Sequence, residues 1–279
     1  MNGFSRGLVT GLSLLALAGA LHAAPGPDVK PVKLTYSIFF PATHRNTRLA
    51  QEWAREIEAR TDGRVAITVF AGGTLTPADK CYDGVENGLS DIGMSCLSYT
   101  RGRFPLTEVI DLPLGYRSGA AATALINAFY QKFQPREFDK VRMLYFHAHG
   151  PGFLHTKKPV ASLAELKGLK IRCTGLAAKI VAALGGTPVA MPMGETYDAL
   201  NRGVVDGSMA PQESLEGWKW GEVVKSSTLS YGAAYSTAFF VCMNRARWEA
   251  LTPEDQAAID AVSREWIAKT GRAWDEMDA

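Results

Sequence analysis

From Ser162 to Pro211 the apolar residues come in short bursts separated by polar breaks, and their spacing switches between a strand-like and a helix-like period. Leu169 to Cys173 reads as a strand, Thr174 as the N-cap of a helix over 175–184, and Gly185-Gly186 as its stop. Thr187 to Met191 is the next strand and Glu195 to Asn201 a second helix, after which Val204 to Gly207 opens a third strand. Strands and helices alternating at this length specify an α/β unit of parallel strands, whose carboxyl-end loops are free to face a ligand.

The same grammar holds nearer the amino end. A strand over 34–39 runs into the phrase SIFFPATH, and a helix follows over 46–60, with Leu49, Trp53 and Ile57 on one stripe. Asp62-Gly63 then turns the chain into a strand over 65–70, completing a β-α-β unit. Thr76-Pro77-Ala78-Asp79 has the chemistry of a helix start, a strand ends near Cys96, and a helix covers 120–133. Along 141–147 a period of two places Val141, Met143, Tyr145 and His147 on one face. A second apolar strand spans 236–243. The closing helix begins at Thr252, with Pro253 and Asp255 behind the cap and Ile259, Val262 and Trp266 as its packing stripe.

Asp91 and Asp206 precede short apolar strands in equivalent phrases, which points to two similarly built lobes. Taking 141–147 and 236–243 as the two crossings gives lobe I as 25–147 plus 240–279 and lobe II as 148–239, with small residues or Gly absorbing any closure. Residues 1–24 read as a secretory signal peptide: Arg6, an uncharged run from Gly7 to Leu21, then His22-Ala23-Ala24-Pro25. The run is shorter than the roughly 20 residues a membrane span needs, and no cysteine near the cleavage region could accept lipid.

The net charge is +2, near +1 once Arg6 leaves with the leader, and the basic residues are scattered, so nucleic acid is not an expected partner. Cys81, Cys96, Cys173 and Cys242 have neither CxxC spacing nor a companion His/Cys cluster. Cys81 and Cys96 are the one sequence-local pair; a disulfide there and four small buried residues both remain open. His147, His149 and His155 crowd into HAHGPGFLH, where two readings compete: a metal site, and a polar rim able to hydrogen-bond a carboxylate. Nucleophile elbow, HExxH, P-loop and GxGxxG are all missing, no nucleophile and base can be nominated, and no cofactor is implied.

Arg172 stands at the end of an apolar strand immediately before a helix start, where its planar fork matches a carboxylate. An internal pair with a nearby Asp or Glu explains the same position equally well.

KGLKIRCTG, ALGGTPVAMPMGETYDAL and NRGVVDG, in this order over about 45 residues, resemble the core signature of the extracytoplasmic solute receptors of TRAP transporters, the DctP-type family. GGTLTPADKCYDGVENGLSDIGMS resembles the family's second signature, and the likeness covers essentially the whole mature chain. The resemblance implies a two-lobed periplasmic binding protein with a ligand cleft and two hinge-crossing strands. Such a receptor is a monomer that closes on a small organic acid, passes it to membrane permease subunits and catalyses nothing. Arg172 would then anchor the acid. Phe39 and Tyr99 from lobe I and Phe153, Trp218 and Phe239 from lobe II would exclude water, and Gln212 and Glu213 would add polar contacts. Each of these aromatics could equally be a core or surface residue.

The chain departs from the family pattern in two places. GPGFLHTKKP lacks the second Arg that many members carry there, and Ala210 stands where many have Asn. That implies a less polar ligand than sialic acid or a C4-dicarboxylate: a monocarboxylate with an apolar or aromatic tail, an amino acid facing Glu213, or a small sulfonate. A ligand-binding sensor for an organic acid and, more remotely, a carboxylate-acting enzyme are the alternatives. The family's chains usually continue past this point, which would leave Trp266 and Trp274 short of partners.

Mass spectrometry of the exported protein is expected to find an amino terminus within a few residues of Ala24. An uncleaved, membrane-retained form would contradict the reading of residues 1–24.

Overall fold

The computed structural model describes residues 30–279, so the expected leader and its cleavage point lie outside the described residues. In chain order the elements are β1 (Val32–Ile38), α1 (Arg45–Arg60), β2 (Val65–Phe70), α2 (Cys81–Glu86), β3 (Ile92–Cys96), α3 (Gly119–Phe133), β4 (Val141–Ala148), β5 (Phe153–Thr156), α4 (Leu163–Leu166), β6 (Lys170–Cys173), α5 (Ala177–Ala183), β7 (Thr187–Ala190), α6 (Met193–Asn201), β8 (Gly207–Ala210), α7 (Ser214–Gly217), β9 (Ser226–Thr228), β10 (Ala238–Asn244), α8 (Arg245–Glu249) and α9 (Pro253–Asp278). They build two five-stranded sheets, ordered β2-β1-β3-β10-β4 and β7-β6-β8-β5-β9. This is the α/β, two-lobed architecture expected, with the first sheet assembled from chain on both sides of the second.

Both sheets are mixed. β1 runs parallel to β2 and β3, as crossover helices require, and β10 runs antiparallel to β3 and β4. In the second sheet β6 is parallel to β7 and β8, while β5 is antiparallel to β8 and β9. β4 closes one edge of the first sheet, and α3 covers its open backbone groups. Asn127 accepts from Phe146 N at 3.1 Å and donates to Phe146 O at 2.8 Å, and Thr123 Oγ1 accepts from Ala148 N at 2.9 Å.

β4 does not present one continuous face. Tyr145 pairs with Val241 and Met143 with Cys242, so Leu144 is an extra residue opposite no partner, a β-bulge. The alternation therefore flips. Tyr145 packs with Trp53 and Val241 on one side of the sheet, while Val141 and Met143 join Phe138 and Cys242 on the other.

Two helix starts also differ from expectation. The α5 N-cap is Leu176, and Thr174 Oγ1 instead accepts from Ser98 Oγ at 3.1 Å. Past Thr76 the chain makes a 3₁₀ turn, Ala78–Lys80, before α2, and Thr76 Oγ1 lies 2.6 Å from Ser37 Oγ. Long-range partners outbid the local cap in both cases. At α9 the cap forms as expected, with Thr252 Oγ1 accepting from Asp255 N at 3.2 Å.

Helix α9 packs on α1, α3 and β4. Its tryptophans are not short of partners: Trp266 is buried and donates to Leu49 O at 3.0 Å, and Trp274 donates to His147 Nδ1 at 2.9 Å and stacks on Phe239. Trp274→Ala is expected to cost about 3–5 kcal/mol by urea unfolding, the range for a truncated core aromatic. Trp274→Phe should cost clearly less, because it keeps the stack and loses only the hydrogen bond.

Candidate functional site

Arg172 is the penultimate residue of β6 and is 3 % exposed. Its Nε donates to Met191 O at 3.0 Å and Nη1 reaches Met209 O at 3.5 Å, so the carbonyls flanking β6 orient the guanidinium plane. Among the described residues no carboxylate comes within 4.0 Å of it. The internal Arg–carboxylate pair that the sequence left open is therefore absent among those residues. A buried Arg lacking a carboxylate partner is uncommon, because the charge is costly to desolvate.

The cavity that Arg172 faces lies between the two sheets and has about 30 Å³ of room for the centre of a water molecule. Of the eight residues singled out from the sequence, six line it: Arg172, Phe39, Tyr99, Glu213, Trp218 and Phe239. Phe153 and Gln212 line a separate cavity with Arg117, Tyr231 and Asp278, where Phe153 packs edge-on against Tyr231. Phe39 is the hub of the aromatic wall, stacked on Phe40 at 4.2 Å, Trp218 at 6.1 Å and Phe239 at 6.2 Å, and edge-on to Tyr99 at 5.4 Å.

The sequence reading missed Phe40, Thr174, Tyr235, Thr237 and Trp274 as lining residues. Nothing local marks them, since four lie in stretches that read as core or loop, and Thr174 read as a cap. His149 also lines the cavity, consistent with the polar-rim reading of HAHGPGFLH. The three histidines of that phrase diverge. His147 receives Trp274 Nε1, His149 Nδ1 bonds Gly150 O at 2.5 Å, and His155 bonds Ser227 Oγ at 2.8 Å and Ala210 O at 3.1 Å. Among the described residues no three His, Cys, Asp or Glu side chains gather to hold a metal ion. Burial pushes His147 down to about 3 and His149 to about 4, so both rings are neutral near pH 7. All four cysteines are buried free thiols.

Polar contacts tie one wall to the other. Tyr99 Oη accepts from Met193 N at 3.2 Å, Asp278 Oδ1 accepts from Glu213 N at 2.8 Å, and His44 Nε2 meets Glu213 Oε1 at 2.5 Å. His44 Nδ1 already accepts from Asn46 N, so Nε2 carries the proton that Glu213 accepts. Asp111 lies fully buried beside Thr237, whose Oγ1 donates to Oδ1 at 2.6 Å, while Oδ2 has no hydrogen-bond partner. Gly175, at φ +49°, lets the second wall approach, since a Cβ there would collide with the Asp111 carboxylate and Ser98.

Burial pushes Asp111 up to about 7, with the Thr237 hydrogen bond opposing. A raised carboxyl pKa means that the folded state prefers the protonated form. This contribution is fully present below about pH 4 and is lost as pH rises through about 7. Asp111→Asn is therefore expected to flatten the fall in melting temperature between pH 5 and pH 8. An unchanged slope would show that Asp111 ionises freely.

A profile of the family described as "Bacterial extracellular solute-binding protein, family 7" (DctP) matches residues 36–279. A solute-binding protein of Verminephrobacter eiseniae is 31 % identical over 233 residues, which are 81 % of this chain and 69 % of that protein. A TRAP periplasmic solute-binding protein of Bordetella bronchiseptica, solved with bound (R)- and (S)-mandelate, is 35 % identical with a TM-score of 0.83, covering 89 % of this chain and 80 % of its own. A marine metagenome receptor specific for aromatic acids, solved with 3-hydroxybenzoate, is 29 % identical with a TM-score of 0.85 and covers the same shares. The chain belongs to the DctP-type family of periplasmic solute-binding proteins that serve TRAP transporters.

Proposed function

We propose that this receptor binds an aromatic monocarboxylate between its two sheets and delivers it to the membrane subunits of a TRAP transporter. The observation that carries this reading is Arg172, a buried guanidinium without a carboxylate partner among the described residues, set in a wall of aromatic rings. A carboxylate on its fork would offset the desolvation of the charge, and Phe39, Trp218 and Phe239 offer flat surfaces to a ring. The Glu213 carboxylate is engaged by His44 at Oε1 and by Ser214 Oγ at Oε2, which favours an acid over an amino acid whose ammonium would need a free carboxylate. The relatives that hold mandelate and 3-hydroxybenzoate have the same fold and support the same ligand class.

The expected boundary at 239/240 falls inside β10, where Phe239 pairs with Cys96 and His147, so Phe239 goes with the first sheet and not with lobe II; in this reading the ligand enters when the lobes part at β4 and β10. Arg172, Phe39, Tyr99, Trp218 and Phe239 form the ligand contacts, with Glu213 holding the closed form through His44. Gln212 and Phe153 sit behind them in the neighbouring cavity.

A thermal-shift screen of organic acids followed by titration calorimetry tests this, because a ligand of the closed form raises the melting temperature. Arg172→Met is expected to weaken the best acid at least about a hundredfold, which is ~2.7 kcal/mol. Arg172→Lys should lose less, since it keeps the charge and forfeits only the fork. Near-wild-type affinity in the Met variant removes Arg172 from the site. Lost binding with a collapsed melting temperature would make Arg172 a structural residue.

A further inference from the structure

Within that cavity one wall atom asks for something a plain carboxylate does not supply. His149 is 2 % exposed and held between Tyr235, edge-on at 5.2 Å, and Trp274, at 6.0 Å. Its Nδ1 lies 2.5 Å from Gly150 O. A carbonyl oxygen only accepts, so Nδ1 carries the ring proton, and on a neutral ring Nε2 is then a lone-pair acceptor. Burial and the nearby Arg172 charge hold the ring neutral, against the opposing pull of the Gly150 hydrogen bond. No described protein group bonds Nε2, it is not among the sealed, unsatisfied atoms, and the ring lines the cavity, which leaves Nε2 free to meet a ligand there.

We infer that His149 Nε2 is a specificity element that accepts a hydrogen bond from a hydroxyl of the ligand, so that the receptor selects hydroxylated aromatic acids over their unsubstituted parents. The inference rests on the reading that an aromatic acid occupies this cavity with its carboxylate on Arg172. The two groups divide the ligand's polar atoms between them. Arg172 offers only donors and takes the carboxylate, while His149 offers only an acceptor and takes a donor. An acid without a hydroxyl satisfies the first and leaves the second unpaired in an apolar, water-poor site. A polar group built to pair and then left unpaired is how a site rejects the analogue that lacks the partner.

The test is calorimetry with two matched pairs, mandelate against phenylacetate and 3-hydroxybenzoate against benzoate, which place the hydroxyl beside the carboxylate or on the ring. The wild type is expected to prefer the hydroxylated member of at least one pair by about ten- to a hundredfold. In His149→Phe, which keeps a ring between Tyr235 and Trp274, the ratio for that pair should fall to within about threefold of one. In ¹⁵N-histidine-labelled wild type, an unprotonated Nε2 resonance should move with the hydroxylated acid and stay in place with its parent, a readout that needs no variant to fold. Equal affinities in both pairs, a preference that survives in His149→Phe, or an unmoved resonance overturns the inference and leaves the aromatic-acid reading standing. Binding of none of the four acids overturns both.

Discussion

A guanidinium buried without a carboxylate partner among the described residues is the constraint around which this molecule makes sense. Arg172 is placed by the last residues of β6 and oriented by the carbonyls of Met191 and Met209, and neither of these contacts neutralises it. Two backbone carbonyls lower the cost of desolvating the charge but leave most of the fork's donors unspent. An anion of the right shape would complete the arrangement, and in the proposed function that anion is the cargo. The aromatic residues nearby strengthen the effect by thinning out the water that would otherwise screen the charge.

The walls meet through few, specific polar contacts. His44 with Glu213, Asp278 with the Glu213 backbone and Tyr99 with the Met193 backbone all join segments of the first sheet's side to the second's. Each of these polar groups could exchange its partner for water. The aromatic cluster is shared in a different way. Phe39, Phe239 and Trp274 stack among themselves on one side, and Trp218 closes over them from the other.

Most of the secondary structure was legible in the sequence because it rests on local rules. The stripe Leu49, Trp53, Ile57 in α1, the Thr252-Pro253-Asp255 start of α9 and the strand–helix alternation through β6 to β8 each depend on neighbours a few residues away. Where the sequence misled, a distant partner had overridden a local preference. Thr174 and Thr76 have the chemistry of caps, yet they spend their hydroxyls on Ser98 and Ser37 across the fold. The bulge at Leu144 is set by the pairing of β4 with β10 about a hundred residues away, so no periodicity within β4 could report it.

By itself, then, the sequence determined the α/β class, the two-lobed plan, the family through phrases in fixed order, and Arg172 as a residue of unusual standing at a strand end. Only the tertiary structure decided what Arg172 does not touch, because the lack of a carboxylate within reach among the described residues depends on how all their segments pack at once. It also separated Phe153 and Gln212 from the other singled-out residues, as depth in a cleft depends on how two sheets face each other. And it fixed the proton of His149 on Nδ1, since one hydrogen bond to the carbonyl of Gly150, a matter of backbone direction, chooses which nitrogen is left as the acceptor.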